Sequence, residues 1–132
     1  MDQLLQNLPS LFVTAFFAIL FLQSGLDKVL DYKGNHAYFQ SHFKDSPLAG
    51  TVGILMPVIT LLEVLTGLVS AVAFVLLLTQ GQCSFALYSP ALAGISLLSL
   101  FFGQRLAKDY AGAASLVAYF LVALIGLWIL KG

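Results

Sequence analysis

Four long apolar stretches, parted by short polar breaks, constrain this chain more tightly than any other feature. They are read as about 8–30, 57–79 with a lead-in over 47–56, 89–104 and 109–130. About 20 predominantly apolar residues suffice to cross the hydrocarbon of a bilayer as a helix. Charged residues make up only 9% of the chain, against about 25% in a soluble domain. The chain cannot cover itself with charge, so lipid must solvate its outside. The expected fold is all-α: an integral membrane four-helix bundle over residues 1–132, one domain, with a short interfacial amphipathic helix between spans one and two.

Local signals place the breaks. Pro9 and Ser10 suit a helix start, because the first turn uses no proline N–H. Met1 to Leu8 carries Asp2 and no Lys or Arg, so the first run reads as a retained span rather than a cleavable signal. The segment from His36 to Lys44 puts Phe39 and Phe43 four apart, on one helical face, and reads as the interfacial helix. Ser46 followed by Pro47 is the expected N-cap and first turn of the second span's lead-in. Pro57 lies inside that span, which is therefore either a long kinked helix or a short helix followed by a second one. Gln80-Gly81-Gln82-Cys83 is a polar turn, with Ser84 an early alternative start for span three. Gly103-Gln104-Arg105-Leu106-Ala107-Lys108 is expected to break span three, and Trp128 suits an interfacial aromatic belt at the end of span four.

Charge orients the bundle and narrows its partners. The first and third connections hold Lys28, Lys33, Lys44, Arg105 and Lys108, while the terminal side holds Lys131. The positive-inside rule then puts those connections in the cytoplasm and both termini in the periplasm. The net charge of zero offers no basic excess for a phosphate backbone, so nucleic acid is not an expected partner. The lone cysteine, Cys83, cannot form an internal disulfide and reads as an inert loop thiol. His36 and His42 are six apart and share no helix face, so they read as interfacial histidines and no metal is expected.

Glu63 is the most informative single residue. It sits between Leu62 and Val64 inside span two, where an ionised carboxylate needs a partner. It is either a ligand contact or proton-linked group, or half of a structural pair. Lys28, at the end of span one, is the expected partner if the membrane part of span two begins near Pro57; a start near Pro47 places Glu63 deeper and out of easy reach. Asp27 and Asp31 are local alternatives for Lys28, Asp31 being three residues away. Asp109 opens span four, where a carboxylate complements the helix dipole, and Tyr110 beside it is either belt or site. Lys28, Asp31, Arg105, Lys108 and Asp109 fall at one mouth; the other offers Gln80, Gln82, Cys83 and Tyr88. A polar cluster at one end of an apolar bundle suits the head of an amphiphile, such as a quinone or lipid, or a docking subunit.

The same residues carry a resemblance. Phe21-Leu22-Gln23-Ser24-Gly25-Leu26-Asp27-Lys28, followed by Asp31, resembles the first-helix signature of the DoxX family of small bacterial membrane proteins. Pro57-Val-Ile-Thr-Leu-Leu-Glu-Val-Leu-Thr-Gly67 resembles that family's second helix, with Glu63 at its acidic position, and Asp109-Tyr110-Ala111-Gly112 resembles the start of its fourth. The resemblance implies a four-helix inner-membrane protein with Ser24, Gly25, Lys28, Glu63 and Asp109 as a shared polar set. It implies a link to quinone-dependent or thiol-stress complexes. The expectation is a non-catalytic accessory subunit of a larger membrane complex, or a homo-oligomer, binding a quinone or lipid head group. The alternatives are a membrane subunit of a quinone-linked oxidoreductase and a small-solute transporter acting as an oligomer. The site set is Ser24, Gly25, Lys28, Asp31, Glu63, Arg105, Asp109 and Tyr110.

Overall fold

The computed structural model describes residues 2–81 and 84–131. Helices α1 (Asp2–Gln6) and α2 (Leu8–Leu30) are separated by a turn at Asn7. They are followed by α3 (Tyr32–His42), α4 (Val52–Gln80), α5 (Tyr88–Leu106) and α6 (Tyr110–Lys131). Four helices, α2, α4, α5 and α6 with their flanking turns, are long and apolar enough to cross a membrane. Among the described residues the architecture is the expected all-α membrane bundle. α2 packs on α4, α4 on α5 and α5 on α6, and α2 meets α6 to close the ring.

The buried stripes explain that order. In α2 the inward positions are Leu11, Thr14, Phe17, Phe21, Gly25 and Lys28, recurring every three or four residues. In α4 they are Met56, Thr60, Glu63, Gly67, Ser70, Ala73 and Leu77. α6 buries only small residues, Ala113, Ala123 and Gly126, and turns its bulk toward lipid. One apolar cluster joins Val13, Phe17 and Phe21 of α2 to Ala93 and Leu97 of α5 and Ala123 of α6. Between them α4 and α5 share two hydroxyl pairs, Thr66 with Ser96 at 3.0 Å and Ser70 with Ser89 at 2.7 Å. In lipid, small faces and interhelical hydroxyl contacts replace the hydrophobic drive that water would supply.

Of the two forms expected for the second span, the continuous helix is the one found: α4 runs uninterrupted from Val52 to Gln80 through Pro57. Pro57 lies in its second turn, where the residue removes a single donor, the one that would reach the Gly53 carbonyl. Two other expectations are corrected. Ser46 does not cap a lead-in helix. Its hydroxyl donates to the Phe43 carbonyl at 2.9 Å and accepts from the Leu48 N–H at 3.1 Å, forming a turn. A single 3-10 turn, Ala49–Thr51, then leads into α4. Span three does not stop at Gly103 but runs to Leu106, preceded by a 3-10 turn over Ser84–Leu87. It ends where Lys108 takes a left-handed conformation, φ 61°. Asp109 N then donates to Gln104 O at 2.9 Å and Lys108 N to Arg105 O at 3.1 Å, the bond pattern of a Schellman closure.

The tightest contact lies between α2 and α4. A Cβ added at Gly25 would meet Val64 Cγ2 at 2.7 Å and the Val64 backbone N at 3.1 Å. A Cβ added at Gly67 would meet the Leu22 backbone N at 2.7 Å. Each helix thus sets a glycine against the other's backbone. Gly67→Ala is expected to destabilise the protein in detergent by ~1–3 kcal/mol, because backbone cannot yield cheaply. Gly53→Ala, where a Cβ meets nothing within 4 Å, serves as the control. Equal thermal stability of the two variants would contradict this close approach.

Candidate functional site at the charged mouth

The close approach of α2 to α4 assembles the first polar group. Ser24 and Lys28 are one turn apart on α2 and share a face. Both reach Glu63 of α4. Lys28 Nζ donates to Ser24 Oγ at 3.0 Å and lies 2.9 Å from Glu63 Oε1. Ser24 Oγ donates to Glu63 Oε2. Glu63 is 2% exposed and Lys28 9%, so this ion pair is withdrawn from solvent. The contact from Lys28 to Oε1 is Coulombic rather than a well-directed hydrogen bond, since Oε1 has no aligned donor. Nor does the buried Thr60 hydroxyl, three residues earlier on α4, have a hydrogen-bond partner among the described residues.

Sequence reasoning paired Glu63 with Lys28 only if the helix began near Pro57. α4 begins earlier, at Val52, and the pair forms nonetheless. The reason is that Lys28 points into the bundle instead of snorkelling outward, and α3 folds back over it: Lys28 Nζ lies 5.9 Å from the centre of the Phe39 ring.

A second polar group ties α3 to the α5–α6 turn. His42 Nε2 is 2.6 Å from Gln104 Oε1 and 3.7 Å from Asp109 Oδ2. Facing a carbonyl oxygen, Nε2 is the donor and carries the proton. Asp109 does two things at once. Its Oδ1 accepts from the Gly112 N–H at 2.9 Å, capping the start of α6, while Oδ2 faces His42.

Between these groups lies a cavity of about 130 Å³. Tyr38 and Phe39 of α3 and Phe43 at its C-cap roof it, and His42 stands at its rim. Met56 and Ile59 of α4 and Leu100 and Gly103 of α5 form the walls. The helix expected over His36 to Lys44 is found as Tyr32–His42, so Phe43 is its C-cap residue, with its ring 6.1 Å from that of Phe39.

The remaining residues of the expected site are scattered. Gly25 is the notch against Val64. Asp31 is exposed at the α2–α3 corner, its carboxylate against Gly34. Arg105 stacks over Tyr110 at 4.5 Å on an exposed face, away from the buried pair. Cys83 and Gln82, assigned to the opposite end, lie outside the described residues. His42 and Gln104 were missed as site residues. A histidine in an amphipathic segment and a glutamine in an apparent helix break carry no signal of facing each other. Met56, Ile59 and Leu100 read in sequence like any lipid-facing residue. No protein-family model, curated protein or solved structure matches the chain.

Removing one member of a buried ion pair strands the other, at a cost of about 3–5 kcal/mol. Glu63→Leu and Lys28→Met are each expected to destabilise by that order in detergent unfolding. The double variant should recover most of the loss. Additive losses would mean that the two side chains do not compensate each other.

Proposed function

We propose that this chain is a DoxX-like bacterial inner-membrane protein that binds the ring or apolar neck of a membrane amphiphile, a quinone or a lipid, as a non-catalytic accessory subunit of a larger membrane complex. The observation that carries this reading is the aromatic-roofed cavity at the charged mouth. Pockets for small ligands are mostly apolar, with a few placed polar groups. Here the walls are aliphatic, the roof is aromatic, and the polar groups are confined to the His42 and Gln104 rim. A flat ring stacks well against such a roof, while a polar head lies toward Lys44, Arg105 and Lys108 in the connections. These connections face the cytoplasm and both termini the periplasm under the positive-inside rule.

The buried Ser24, Lys28 and Glu63 group supports the ligand indirectly. Its charges are already matched to each other, so a head group would have to displace Lys28 to gain a contact there. Its role is to fix α2 against α4 and, through Phe39, to seat the roof. One cysteine leaves any thiol–disulfide exchange to a partner protein.

Binding of a short-tailed benzoquinone to the protein in nanodiscs, measured by equilibrium dialysis, tests the cavity. Leu100→Trp fills it and is expected to weaken binding about 10-fold or more, the equivalent of ~1.4 kcal/mol. Affinity equal to that of the parent would remove the cavity as the site. Purification from native membranes in mild detergent, followed by mass spectrometry, is expected to bring partner subunits along; a chain that purifies alone would overturn the accessory role.

A further inference from the structure

We propose that α3 is a lid over the mouth cavity, bolted at its N-terminal end and held shut at its C-terminal end by the His42–Gln104–Asp109 contact. The use of the lid rests on the reading of the cavity as a ligand site; the motion itself stands on geometry alone.

Among the described residues, α3 buries no residue of its own, whereas the longer helices α2, α4, α5 and α6 each do. Segments that open locally are those with few buried contacts. Its two ends are held very differently. At the α2–α3 corner, the Asn35 side-chain amide donates to the Asp31 carbonyl at 2.9 Å and to the Asp27 carbonyl at 3.3 Å, and Asp31 N donates to Asp27 O at 3.0 Å. Those bonds lie within one corner and survive a swing of the helix. At the far end, the polar tie to the rest of the bundle is His42, through Gln104 and Asp109. Midway, Phe39 rests over Lys28, its ring centre 5.9 Å from Nζ. Beyond His42 the chain runs through turns rather than a helix until Ala49, which supplies slack.

Swinging α3 about its corner therefore breaks the His42–Gln104 hydrogen bond, separates His42 from Asp109 and parts Phe39 from Lys28, and it lifts Tyr38, Phe39 and the C-cap residue Phe43 together. Beneath them lies Met56, 2% exposed in the closed form, at the cavity wall. The opened cavity faces the head-group level at the mouth. A membrane amphiphile can load there without passing between α2 and α4, which are too close to part cheaply.

The test needs no ligand. In a Cys83→Ser background, Met56→Cys places a thiol under the lid, and its reaction with a small membrane-permeant maleimide reports opening. His42→Leu is expected to raise the labelling rate about 5-fold, the equivalent of ~1 kcal/mol for one lost hydrogen bond. His42→Gln, which can still donate to Gln104, should stay close to the parent. A thermal melt checks that each variant remains folded. Unchanged labelling in folded His42→Leu overturns the lid. Labelling raised equally by His42→Gln and His42→Leu also overturns it, because the hydrogen bond would not be the latch. A latch-dependent labelling rate without benzoquinone binding leaves the lid standing and defeats the ligand reading instead.

Discussion

The reciprocal glycine contact between α2 and α4 is the constraint on which the rest depends. Gly25 accepts Val64 and Gly67 accepts Leu22, so the two backbones come closer than side chains would allow. That separation lets a serine and a lysine on α2 reach the carboxylate of Glu63 directly. Without it, Glu63 would be an unmatched charge in hydrocarbon, which costs several kcal/mol or forces the group to neutralise. The ion pair in turn fixes the rotation and height of α2 relative to α4. It holds Lys28 inward, beneath Phe39, and so gives α3 a surface to lie on.

The α5–α6 turn completes the mouth from the other side. A lysine at the left-handed position of the closure costs roughly 1–2 kcal/mol relative to glycine. The closure lets Asp109 follow at once as the cap of α6. One carboxylate thereby satisfies a helix N-terminus with one oxygen and faces His42 with the other. Gly112 leaves room for it, since a Cβ there would meet Asp109 Oδ2 at 2.6 Å and push the carboxylate from its place. The geometry that ends one helix and starts the next is also the geometry that receives α3.

What the sequence made legible follows from what carries a local signal. The spans were readable because lipid demands long apolar runs, and α2 came out at its expected bounds, Leu8–Leu30. Glu63 was readable as the interior acid, because a charge in such a run must have a partner. Its partner was readable only conditionally, since depth depends on where α4 begins, and Ser46-Pro47 and Pro57 gave competing answers. The true start at Val52 has no side-chain cap to announce it. The cavity was illegible for a different reason. Its walls are apolar residues facing inward near a helix end, and composition does not separate these from residues facing lipid. His42 and Gln104 are 62 residues apart and meet only through tertiary packing.

The interior polarity of α4 bears on which functions the bundle favours. Glu63, Thr66 and Ser70 follow one another at helical spacing on its buried face and together resemble a polar track. Each is closed by a protein partner, however: Glu63 by Lys28 and Ser24, Thr66 by Ser96, Ser70 by Ser89. Thr66 also donates to its own helix at the Leu62 carbonyl, 2.7 Å away, which commits its proton locally. The neighbouring volume is filled by Phe17, Phe21, Ala93 and Leu97. Hydroxyls paired in this way hold helices together, each at a modest ~0.6 kcal/mol, and leave little for a passing solute to replace. The polarity of Glu63, Thr66 and Ser70 is therefore adhesive. The groups with freedom to act are those at the mouth, where α3 alone is held by a contact that a single side chain can release.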